Sequence, residues 1–126
     1  MKLLRVGSLN EEKPALIDND GVIRNLSSVI SDFNPATLNQ ETIKKISKQD
    51  IKKLPTINSD IRVGACVSHP QKFIGIGLNY SDHAEETGMK APNEPILFIK
   101  ANSCISGPND NILIPKKSKK TDWEIE

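Results

Sequence analysis

The chain has 126 residues, with 17 Lys+Arg against 16 Asp+Glu and a formal net charge of +1. That balance argues against a general nucleic-acid or acidic-membrane binder, which needs a basic excess. With 37% hydrophobic and 26% charged residues, the composition fits a foldable domain and excludes a disordered chain. The longest aliphatic and aromatic run, Ile96-Leu97-Phe98-Ile99, is far short of the ~20 residues a membrane helix needs. Arg5, Gly7 and Ser8 interrupt any signal-peptide core after Met1. A soluble cytoplasmic protein is the expectation. Two cysteines, Cys66 and Cys104, make no disulfide framework and are expected as buried free thiols.

In chain order, Lys2 to Val6 reads as a strand. Ala15-Leu16-Ile17 and Val22-Ile23 flank Asp18-Asn19-Asp20-Gly21, a hairpin turn signal because glycine accepts positive φ. Ser27 to Ser31 reads as a helical turn. Asn34-Pro35 is expected to open a helix running to about Ile46, since Asn caps and Pro suits the first helical position. Ser47 is expected to start a second helix that Pro55 closes. The lysines there, Lys44, Lys45, Lys48, Lys52 and Lys53, read as a solvated face.

The character changes near residue 70. Phe73-Ile74-Gly75-Ile76-Gly77 predicts a strand, and Asn79 is expected to cap a helix from Tyr80 to Thr87 with Gly88 just beyond it. Ala91 to Pro95 predicts a loop, Ile96 to Lys100 a strand, Ser106 to Asn111 a turn cluster, and Ile112 to Ile114 a further strand. Lys116 to Lys120 predicts a basic loop, without the interleaved aromatics of a nucleic-acid site.

Three places could carry chemistry. In Asp122-Trp123-Glu124-Ile125-Glu126 the period of two puts the three carboxylates on one strand face and Trp123 and Ile125 on the other. Three carboxylates so close need water or a cation, and an all-oxygen set selects a hard ion. A charged outer face on an edge strand is the alternative. His83 and Glu86 are three apart on the predicted helix and share a face, so the carboxylate can make the imidazole a general base. A surface histidine beside an acidic residue is the plainer reading, and Asp82 is explained by the helix dipole. Lys100 extends from the end of an apolar strand, where a snorkelling lysine is the plainer reading. His69 precedes Pro70 in a predicted linker.

The ordered set of motifs resembles one family. Phe73-Ile74-Gly75-Ile76-Gly77-Leu78-Asn79-Tyr80-Ser81-Asp82-His83-Ala84-Glu85-Glu86, then Glu94 to Lys100, Ser106-Gly107-Pro108, Ile112 to Pro115 and Trp123-Glu124-Ile125-Glu126, resemble the start of a fumarylacetoacetate hydrolase superfamily catalytic domain. Thr121-Asp122-Trp123-Glu124 and the opening Met1 to Arg5 are most similar to the group labelled ureidoglycolate lyase or 2,4-diketo-3-deoxy-sugar-acid hydrolase.

The resemblance implies an α+β chain. A small N-terminal α/β domain, 1–70, would precede the start of a β-rich catalytic domain, 71–126. It implies Glu124 and Glu126 as ligands of Mg²⁺ or Mn²⁺, His83 as the group that activates water, Glu86 as its partner, and Lys100 near the active site. Asp122 is not among the family's ligands. The third ligand would lie on a later strand, so ending at Glu126 implies a truncated copy, expected to be inactive and poorly behaved by itself. For the complete enzyme it implies cleavage of a C–C bond in a 2,4-dioxo acid, with a small 2-oxo acid as partner and a homodimeric assembly. The alternatives are a ureidoglycolate lyase or 2-hydroxyhepta-2,4-diene-1,7-dioate isomerase on the same scaffold, or a fragment with only a binding role.

Overall fold

The computed structural model describes residues 1–122. They mix a four-stranded and a two-stranded antiparallel sheet with two short α-helices, an α+β content. Two compact units divide the chain: Met1–Gln71 with Ile105–Asp110, and Lys72–Cys104 with the residues from Asn111 onward. The segment 105–110 therefore packs with the first unit although it follows most of the second in sequence. Among the described residues no helix is long and apolar enough to cross a membrane.

The first unit is built on a meander of β1 (Lys2–Val6), β2 (Lys13–Ile17), β3 (Ile23–Asn25) and β4 (Thr56–Ile57). The β2–β3 turn is closed by Asp18, whose carboxylate accepts the N–H groups of Asp20 and Val22 at 2.9 Å each, and by Gly21 at φ +80°. β4, only two residues long, has no sequence signal of its own. Residues 62–64 extend the other edge, with Gly7 N–H bonded to the Arg62 carbonyl and Gly64 N–H to that of Arg5.

Directly opposed residues share a face. Leu4 opposes Ala15, and both lie with Val6 and Ile23 in one apolar cluster that Ile57, Ile61 and Val63 join. On the opposite face Leu16 packs with Leu26, Val29, Ile30, Phe33, Ile46 and Leu54.

Helix α1 (Gln40–Ser47) covers that second cluster and buries Ile46. It starts five residues later than Pro35. Asn34 instead closes a turn, accepting from the N–H groups of Ala36 and Thr37, while Asn39 is the true cap and accepts from Thr42 N–H at 2.9 Å. The second expected helix is a single 3₁₀ turn, Ile51–Lys53. Leu54 leaves it in extended conformation, because a residue before proline is driven out of the helical region, and its side chain enters the core. The lysine-rich face is mostly solvated, but Lys45 Nζ donates to the Val29 carbonyl at 2.6 Å.

In the second unit β5 (Ile74–Gly77) pairs with β6 (Ile96–Ile99). Helix α2 (Ser81–Glu86) lies between them in sequence and buries Ala84. Tyr80, not Asn79, stands at its N-cap position, and no side chain caps it there. Gly88 at φ +69° ends it, letting Met89 N–H reach back to the Ala84 carbonyl. Ile112 to Ile114 form no strand among the described residues and are exposed. A strand needs a neighbour for its N–H and C=O groups, and none of the described strands pairs with them. Cys66 and Cys104 are free but exposed, not buried: Cys66 sits in a connecting segment and Cys104 ends a single 3₁₀ turn, Asn102–Cys104, none of whose residues is buried.

Candidate active-site residues

His83 and Glu86 both stand on α2, three positions apart. His83 is partly buried and Glu86 exposed. The two residues are thus set one turn apart on the same helix. Local bonds hold the helix: Asp82 accepts from the His83 N–H at 2.9 Å, and Thr87 Oγ1 donates to the His83 and Ala84 carbonyls at 3.0 Å. The chain enters α2 through Leu78, at φ +53°. A γ-branched residue in that region is uncommon, and such positions collect at functional sites.

Lys100 follows β6. Its N–H donates to the Phe73 carbonyl at 2.9 Å, and its Nζ lies 5.3 Å from the Phe98 ring centroid and 6.0 Å from that of Phe73. Both distances are within cation–π reach of ~6 Å. Glu124 and Glu126, the expected metal ligands, lie outside the described residues, as do Trp123 and Ile125. Among the described residues no group of three His, Cys, Asp or Glu side chains is placed to hold a metal ion.

The strongest electrostatic construction is one that sequence patterning missed. In the first unit Arg5, 7% exposed, binds Asp32 through Nε (2.7 Å) and Nη2 (3.1 Å) and lies 3.5 Å from Glu12. Arg62 binds Glu12 at 2.8 Å and Asp110 through two parallel bonds, 2.7 and 2.6 Å. Asp110 also accepts from Gly107 N–H at 2.7 Å, which closes the 105–110 turn onto Arg62. Gly64 leaves room for the Glu12 carboxylate, since a Cβ there would meet it at 2.7 Å.

The Arg62 and Gly107 hydrogen bonds hold the Asp110 carboxyl below the usual range. For Glu12 and Asp32 burial is the largest single influence and opposes the charge, but the hydrogen bonds to Arg62 and Arg5, the backbone N–H groups and the arginine charges together outweigh it, and both carboxyls are also lowered. One signal was available in the sequence: Arg5 interrupts the apolar run Leu3-Leu4 to Val6 of β1. A surface cavity of ≈ 670 Å³ in this unit is lined by residues that include Val6, Ser8, Glu11, Lys13, Asn25 and Ile57, and His83, Glu86 and Lys100 are not among its lining residues.

Residues 72–126 match the family described as fumarylacetoacetate (FAA) hydrolase C-terminal. The whole chain aligns with longer proteins, each named "putative hydrolase". It is 51% identical over 126 residues to one from Burkholderia lata, and 50% identical to ones from Burkholderia orbicola and Burkholderia ambifaria. All of this chain is covered in each alignment, against 45% of each of those proteins. The chain thus spans about half the length of the curated relatives it matches.

Proposed function

From a chain whose residues 72–126 carry the fumarylacetoacetate hydrolase C-terminal match, we infer a metal-dependent hydrolase that cleaves a C–C bond in a 2,4-dioxo acid of the acylpyruvate or diketo-deoxy-sugar-acid type. The observation that carries this reading is that the matched segment contains His83, Glu86, Lys100, Glu124 and Glu126 together. The hydrolase names of the aligned proteins support the same class.

Glu124 and Glu126 would hold the metal, and two carboxylates are an all-oxygen donor set that suits Mg²⁺ or Mn²⁺. When bound, such an ion supplies Lewis-acid stabilisation of the negative charge that develops at the 2-oxo acid end of the substrate. The rest falls to side chains. A neutral His83 takes a proton from water at a ring nitrogen as the water oxygen bonds to the distal carbonyl carbon. Glu86, one helical turn on, favours the imidazolium that results. The C–C bond then breaks, its electron pair passes to the oxo-acid fragment as an enolate, and the proton on His83 returns to that fragment's carbon. The products are a carboxylic acid and pyruvate or a close relative. Lys100 donates a hydrogen bond to whichever oxygen carries charge.

The test is product analysis with an acylpyruvate and Mn²⁺. Pyruvate release that a chelator abolishes is the expected result. Turnover of ureidoglycolate or of a heptadienedioate in its place would move the protein to a lyase or an isomerase, and no turnover of any of the three by the full-length protein would defeat the reading.

A further inference from the structure

The β5–β6 ribbon has two unlike faces. Ile74 opposes Ile99 and Ile76 opposes Leu97, so one face is aliphatic. Gly75 opposes Phe98, and the Lys100 N–H bond to the Phe73 carbonyl extends the ladder by one further pair. Alternation therefore puts Phe73, Gly75, Phe98 and Lys100 together on the second face. A Cβ at Gly75 would stand within 3 Å of the Phe98 ring at several atoms, so that ring lies over bare backbone. On this face Phe73 stands across the ribbon from Lys100, Phe98 stands two residues before it, and the ammonium lies within ~6 Å of both ring centres.

The geometry points to Phe73 and Phe98 as positioning residues for the Lys100 ammonium, with Gly75 as the residue that admits the arrangement. A lysine has a flexible four-carbon stem, and fixing it costs rotamer entropy at the moment it must meet a substrate oxygen. Two rings restrict that stem beforehand. They also attract the cation without neutralising it, as a carboxylate would. The inference deepens the functional reading of Lys100 and rests on it for the effect on turnover, though not for the contact itself.

Two measurements test it. In the chain with ¹³C-dimethylated lysines, the Lys100 methyl signal, assigned with Lys100→Arg, should lie upfield of the exposed lysines by the ring current. Phe98→Leu should move it toward them, Phe98→Tyr should keep it in place, and Phe73→Leu should move it part of the way. A Lys100 signal coincident with the exposed lysines overturns the inference. So does a signal that Phe98→Leu leaves unmoved while the Gly75 to Gly77 amide signals show the ladder intact. If Phe98→Leu unfolds the ribbon, the Phe73→Leu displacement decides. In turnover of an acylpyruvate by the full-length protein, Phe98→Leu should lower kcat by about tenfold to a hundredfold. KM should stay within about threefold, and Phe98→Tyr should restore the rate. An unchanged kcat overturns the positioning role. Absence of wild-type turnover defeats the functional reading and leaves the ring-current result to decide this one.

Discussion

Phe98 lies directly across the β5–β6 ladder from Gly75, and its ring fills the space that a side chain on Gly75 would occupy. Gly75→Val should therefore force the ring off the ribbon, at a cost of about 1–3 kcal/mol for overpacking a fitted contact. A thermodynamic cycle with Phe98→Ala checks it. The valine should cost clearly less once the ring is gone, and an equal cost in both backgrounds would mean that the two residues do not compete for space.

Arg62 serves two carboxylates, Glu12 and Asp110, so its loss strands more than either partner's loss does. Arg62→Ala should lower the urea midpoint more than Asp110→Ala. Asp110→Ala should speed hydrogen exchange at the Gly107 amide, whose acceptor it removes. Equal midpoints for the two variants would show that the Glu12 contact contributes nothing.

Acid should unfold the first unit. The folded-state pKa values of Glu12, Asp18, Asp32 and Asp110 all lie below their ordinary values. The unfolded chain therefore takes up protons first as the pH falls. Their contribution is complete above roughly pH 4 to 5 and is lost below it, as each folded pKa is passed. Urea midpoints should be level from near neutrality to about pH 5 as far as these groups are concerned, then fall. Asp110→Asn should flatten part of that fall. A midpoint indifferent to pH down to about pH 3 would contradict the assignment.

For the proposed hydrolase at full length, His83→Ala should reduce kcat by roughly a hundredfold or more, the scale of a positioned general base. Affinity for Mn²⁺, measured by calorimetry, should stay nearly unchanged, because the proposed ligands are Glu124 and Glu126. Turnover within a few-fold of wild type would remove His83 from the mechanism.

The hairpin of β2 and β3 was legible because turn chemistry is local: the bonds by which Asp18 and Gly21 close the turn span no more than four residues. The spacing of His83 and Glu86 on a helix was legible for the same reason. The start of α1 was not, since Asn34 and Asn39 are equally good caps and the choice depends on what Thr37 bonds to, here the Asp32 carbonyl. The seat of Lys100 also escaped the sequence, because it depends on a register between strands that pairs Gly75 with Phe98. The Arg62–Asp110 bond spans 48 residues, beyond the reach of any spacing rule. Leu78 carries a positive φ that its residue type disfavours, so local preference pointed the wrong way there.

The late position of Asp110 also bears on how the protein is made. Chains grow from the N-terminus at ~5–20 residues per second, and domains begin to fold in that order. All four strands of the first sheet are complete by Ile57, yet the outer partner of Arg62 is added only at Asp110. For several seconds the nascent first unit therefore carries Arg62 bonded on one side only. The final hydrogen bonds of the first unit thus wait for the ribosome to pass through β5, α2 and β6.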